Sequence, residues 1–222
     1  MNLDYVGPIA NSQRVGPMNF IGLRDTDYGN GLRMPTISEL LRLVHASFED
    51  EECETARQVI ETLKNYWLMG NTGVLYTRDG MFVQDNPIAQ GGIFMEQKTL
   101  MGKLGSHEEK GVVFSDDGLV RFTPCEFKVR ILNHSELAKN SGVIALTGSL
   151  ENAEKLAQVS AHHYKSNPFF WALGKVDSPE IRIAGLDSRK FGRSLCVVAN
   201  YFGNRGSRYS FGVTDADTQM LH

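Results

Sequence analysis

From Ile37 to Phe48 the apolar residues Ile37, Leu40, Leu41, Val44 and Phe48 recur at helical spacing and make one stripe. Just ahead of them, Thr36-Ile37-Ser38-Glu39 has the form of a capping box, in which the Thr36 hydroxyl accepts the Glu39 amide and the Glu39 carboxylate reaches back. A second stripe, Ala56, Val59, Ile60, Leu63 and Trp67, follows the acidic run Glu49-Asp50-Glu51-Glu52, whose charge suits a helix N-terminus. Together they predict a helical hairpin. Beyond Gly70 the period changes from helix to strand. Residues 73–84 read as a β-hairpin with a type I′ turn at Asp79-Gly80, because Asp-Gly tolerates the positive φ angles such a turn needs. The same phrase returns at 111–122 with Asp117-Gly118 at its turn, which suggests two similar hairpins and raises the idea of a duplicated unit.

The second half alternates before becoming strands alone. Strands are expected at 126–132 and 143–147, a short helix at 135–139, and a longer helix from the Ser149 cap to about Tyr164. Four further strands are expected at 169–173, 181–186, 195–199 and 209–213. Helices and strands that are partly segregated along the chain predict an α+β fold: an N-terminal helical hairpin, a mixed or antiparallel sheet, and one longer helix packed on it. No linker-like stretch divides residues 1–222, so a single domain is expected. Residues 1–35, rich in Gly, Asn, Asp and Pro, read as an irregular arm that wraps the body or reaches a neighbouring subunit, with a short strand at 19–23.

Residues Leu32 to Leu40 resemble the R-L-P-T-x-x-E-L helix start of some lectin-like bacterial domains, with Met34 in place of the usual Leu. The capping box accounts for Thr36 and Glu39 by itself.

The chain of 222 residues carries a formal charge of −3, which argues against a surface that coats nucleic acid. No apolar run approaches the roughly 18–20 residues of a membrane span, and Met1 to Tyr5 lacks the pattern of a secretory signal. The three cysteines, Cys53, Cys125 and Cys196, are far apart and odd in number, which suits a reducing, cytoplasmic compartment. Cys196 lies in an apolar run and reads as a buried thiol. The six histidines have no metal-ligand spacing, and Asp25 to Thr36 departs from a calcium loop at its fifth and last positions, so no metal and no cofactor is expected. Nucleophile elbows and phosphate loops are missing.

Charge patterning gives the one positive clue. Between Ile181 and Tyr209 six basic residues stand against a single acid, Asp187, with Tyr201, Phe202 and Tyr209 among them. Arg189, Arg193, Arg205, Arg208 and Tyr209 are therefore the candidate site for an anionic ligand or a partner's acidic face. The acid-rich stretch Glu39 to Glu61 is a complementary surface, which makes a second copy of the chain a candidate partner. No activity follows from these features. The expected role is a non-catalytic intracellular binding or assembly protein; the alternatives are an enzyme acting on a small phosphate- or carboxylate-bearing substrate and an RNA-binding module.

Overall fold

The computed structural model describes residues 13–29, 31–88, 92–124, 130–174, 176–188, 194–201 and 206–214. It is an α+β fold. β1 (Arg14–Met18) leads into α1 (Phe20–Asp25), where a strand was expected. The Asn19 side chain accepts the Gly22 amide as an N-cap, and Phe20 and Leu23, one turn apart, are both fully buried. Capping and a buried face outweigh the strand preference of a short apolar run.

α2 (Ile37–Glu49) and α3 (Glu54–Asn65) form the expected helical hairpin, and the Thr36–Glu39 capping box is present in both directions. Trp67 does not belong to α3. The helix ends at Asn65, and Trp67 opens β2 (Trp67–Tyr76), packing with Met69 and Phe169 on the sheet face away from α2 and α3. After β3 (Met81–Asp85) come α4 (Gln97–Met101), β4 (Leu104–Glu109), β5 (Val112–Ser115), β6 (Val120–Thr123) and β7 (Arg130–Ile131). Next are α5 (His134–Lys139), α6 (Ser141–Thr147) and α7 (Leu150–His163), the last capped by Ser149. α6 replaces an expected strand: the Asn140 side chain accepts the Val143 amide, and Gly148, at φ 84°, closes the helix on the Ile144 carbonyl. Val143, Ile144, Ala145 and Leu146 are all fully buried, and a run that is apolar on every side does not reveal its period. Thr147-Gly148-Ser149 consequently joins two helices, not a strand and a helix. β8 (Phe169–Trp171), β9 (Glu180–Asp187), β10 (Cys196–Tyr201) and β11 (Arg208–Phe211) fall close to their expected positions.

The strands form one sheet in the order β4-β5-β6-β3-β2-β9-β10-β8-β7. Its organiser is β2. One edge pairs with β9; the other pairs with β3 from Thr72 onward and, parallel, with β11 at Trp67 and Leu68. β1 then pairs with β11, and Arg33 bridges Val213, so the described part of the N-terminal arm lies along the chain's own body. At the fork between β3 and β11 the loop before α2 comes close: the Asn71 amide donates to the Pro35 carbonyl at 2.6 Å. A Cβ on Gly70 would lie 2.6 Å from the Ile37 nitrogen, so this approach requires glycine.

Alternation along the central strands buries both faces. Leu68, Val74, Tyr76, Met81, Val83, Val197 and Ala199 meet α2, α3, α6 and α7 in the larger core. Trp67, Met69, Ile183, Cys196 and Val198 meet α1 and Met34 on the other side, with Cys196 1% exposed as expected of a buried thiol. Further along that second face Leu75, Phe82 and Val120 pack under Met95 and Leu100.

Both expected hairpins form, with β2 on β3 and β5 on β6, yet their turns differ from each other and from the expected type. Tyr76 pairs with Met81 across the four residues 77–80, and among the described non-glycine residues Asp79 is not one with positive φ. Gly80 (φ 155°) is needed because any Cβ there would strike the Thr123 carbonyl of the neighbouring strand. Gly118 (φ 69°) faces open space. A turn with two positive φ angles does occur one hairpin earlier, at Lys110 (50°) and Gly111 (78°) between the paired Glu109 and Val112. The recurrent phrase thus describes two different turns.

Candidate functional site

Of the candidate residues in the basic segment, the structure describes Arg208 and Tyr209. Arg189, Arg193 and Arg205 lie outside the described residues. Arg208 is only 5% exposed; its Nη1 donates to the Gly206 carbonyl at 2.6 Å, and its guanidinium carbon sits 6.0 Å from the Trp67 ring centroid. Tyr209 is half-buried, its ring 4.7 Å from that of Tyr66 and 5.2 Å from the Arg14 guanidinium carbon. Arg182 is buried and paired with Glu180, an acid that stands just ahead of the basic stretch. β10 and β11, consecutive in the chain, are kept apart in the sheet by β9 and β2.

The Arg33-to-Leu40 segment has a physical reason beyond its capping box. Arg33 forks onto Glu39, with Nη1 to Oε2 at 2.9 Å and Nη2 to Oε1 at 2.8 Å, while Glu39 Oε2 also accepts the Thr36 amide at 2.7 Å. Burial opposes the Glu39 charge, but the Arg33 hydrogen bonds and the Thr36 amide outweigh it and hold the carboxyl below the usual carboxylate range. This clamp fixes the loop that sits at the fork of the sheet, so its role is architectural.

A concave feature of the described surface lies elsewhere, beside α4. A cleft of about 840 Å³ is lined by Leu75, Phe94, Met95, Lys98, Met101 and Pro179, together with Glu96, Gln97 and Gly102. Its floor is fixed from the sheet. Leu75 is 1% exposed on β2, and Gly73 lets Met95 settle on the strand, since a Cβ there would stand 2.6 Å from the Met95 sulfur. Leu100 anchors α4 among Leu75, Phe82 and Val120, and Gln97 Nε2 ties it to Asp79 Oδ2 at 2.9 Å. Phe94 is positioned by its own amide, which donates to the Ile88 carbonyl at 2.9 Å. What remains outward is apolar: Phe94 is 63% exposed, Met101 46%, and Ile88, across that backbone bond from Phe94, 63%. The volume falls in the range typical of ligand pockets, and large apolar side chains grouped in the open mark interaction sites. Among the described residues no group of three or more His, Cys, Asp or Glu side chains is placed to hold a metal ion, and no helix is long and apolar enough to cross a membrane.

The described fold is thus one forked sheet buried on both faces, with β1 and β11 paired on its branch. The chain is similar to a solved structure described under "Accommodation of massive sequence variation in Nanoarchaeota by the C-type lectin fold", with a TM-score of 0.54 at 14% identity, over 90% of this chain and 93% of that one. No family model and no curated protein matches the sequence. The likeness shows a C-type lectin fold. It also overturns the expected intracellular binding or assembly protein with a basic and aromatic surface at 181–209, and puts a C-type lectin fold in its place.

Proposed function

We propose that the chain is a recognition protein of lectin-like fold that holds its ligand in the cleft beside α4. The observation that carries this reading is the exposure of Phe94 and Met101 at the mouth of a cleft whose floor is fixed by buried residues. Preformed, mostly apolar concavities with few polar groups are how proteins hold small ligands and anchoring side chains. The C-type lectin fold of the solved neighbour, described as accommodating massive sequence variation, supports a division between a constant frame and a variable surface.

The test is a thermal-shift screen of glycans, peptides and small amphiphiles on the wild type and on the double variant Phe94→Ser/Met101→Ser. Both side chains are exposed, so the variant keeps its fold. A true ligand at about 100 times its Kd stabilises the wild type by about 2.7 kcal/mol and the variant far less. Hits that stabilise both proteins equally place recognition elsewhere and refute the proposal.

A further inference from the structure

We infer that the occupant of this cleft is a peptide segment of another protein, presenting an apolar side chain next to an acidic residue; this rests on the cleft being the binding site. The argument is from the state of each lining group. A sugar needs several uncommitted donors and acceptors converging on its hydroxyls, because polar groups buried without partners are penalised. Here the polar side chains are three, Glu96, Gln97 and Lys98, and the first two already hold partners. Gln97 gives its amide nitrogen to Asp79, and the Glu96 carboxylate accepts the Thr99 hydroxyl at 2.5 Å. The rest is hydrocarbon and thioether: Leu75 and Met95 below, Phe94, Met101 and Pro179 around. Methionine pairs of this kind adapt to differently shaped apolar side chains, and an exposed aromatic ring offers a rigid anchor.

Charge selects the flank. Lys98 stands exposed on the cleft with no carboxylate in ion-pair range among the described residues, whereas the acid beside it, Glu96, is occupied. A ligand carboxylate next to the apolar anchor completes that cation. The apolar rim also continues past the cleft to Ile88, which gives an extended chain more surface than a compact small molecule would use.

The experiment selects displayed random peptides on the full chain, resynthesises the enriched ones, and measures their binding by calorimetry, alongside a glycan array. Enriched peptides are expected to share an apolar residue adjacent to Asp or Glu. Phe94→Ser/Met101→Ser should weaken them roughly tenfold or more, as truncated anchors do. Lys98→Glu should weaken them several-fold and abolish the salt dependence, while Lys103→Glu, outside the cleft lining, should not. Glycans that bind and are lost in the Phe94/Met101 variant would overturn the peptide assignment and leave the cleft reading standing. Peptides whose binding ignores that variant would overturn both. Self-association that disappears in the same variant would identify the occupant as a second copy and overturn the inference.

Discussion

Replacing Asp85 with alanine should be the most damaging single change in the sheet. Asp85 (6% exposed) receives Arg121 Nη1 on Oδ2 at 2.6 Å and the Thr72 hydroxyl on Oδ1 at 2.5 Å, and Thr72 in turn accepts the Ile37 amide at 2.9 Å. Arg121 (2% exposed) also donates to the Gly118 carbonyl at 3.0 Å, while its Nε and Nη2 have no hydrogen-bond partner among the described residues. One buried chain of bonds therefore links the start of α2, the strands β2 and β3, and the β5–β6 turn. Removing the carboxylate leaves a guanidinium in the interior with only Gly118 to satisfy it. Breaking a buried pair this way costs about 3–5 kcal/mol. With a urea slope of about 2 kcal/mol/M, the unfolding midpoint falls by roughly 1.5–2.5 M. Arg121→Met strands the opposite charge and should cost a similar amount. The double variant strands neither, so it should lose less than the sum of the singles by about 2 kcal/mol. Urea unfolding of all four proteins closes the cycle. Additive singles, or a loss below about 1 kcal/mol for Asp85→Ala, would mean that water reaches the pair and would refute the argument.

The two hairpin glycines should separate sharply. Gly80→Ala meets the Thr123 carbonyl as well as an unfavourable φ and should cost more than 2 kcal/mol, whereas Gly118→Ala, in open space, should cost about 1 kcal/mol by thermal unfolding. Glu39 has a depressed folded-state pKa, so its stabilisation is fully present above the unfolded value near about 4.3 and is lost as pH falls through the folded value. Glu39→Gln should accordingly flatten the acid limb of a stability–pH curve below about pH 5. Arg208→Glu should lower stability by about 2 kcal/mol or more, because it puts a carboxylate against the Gly206 carbonyl and the Trp67 ring; an unchanged midpoint would restore Arg208 to the surface.

Much of the frame is legible in the sequence because its signals are local. The capping box at Thr36, the Ser149 cap and the α2 stripe each need only a few neighbouring residues, and each is where expected. Failures begin where a third dimension decides. Val143 to Leu146 is apolar in every direction, and only the Asn140 and Gly148 caps, both visible in the sequence, mark it as helix. The turn with two positive φ angles falls at Lys110-Gly111 between the paired Glu109 and Val112, where only the glycine marks it in the sequence. Arg33 and Glu39 share the segment that resembles a lectin-like helix start, so their fork was within reach of the motif, although the capping box explained Glu39 without it.

The candidate site was illegible for a deeper reason. A sequence displays charges but not their neutralisation, so Arg182 and Arg208 counted as a basic face although one is paired with Glu180 and both are buried. It displays apolar residues but not their exposure, so nothing in it separates Phe94 and Met101 from the core. The cleft draws on β2, on the segment from Phe94 to Gly102 and on Pro179, three stretches that meet only because α4 is tied down on the second face of the sheet. Recognition depends on which charges stay unpaired and which apolar groups stay wet. Both are properties of the folded surface, and among the described residues Lys98, Phe94 and Met101 bring them to the lining of one cleft.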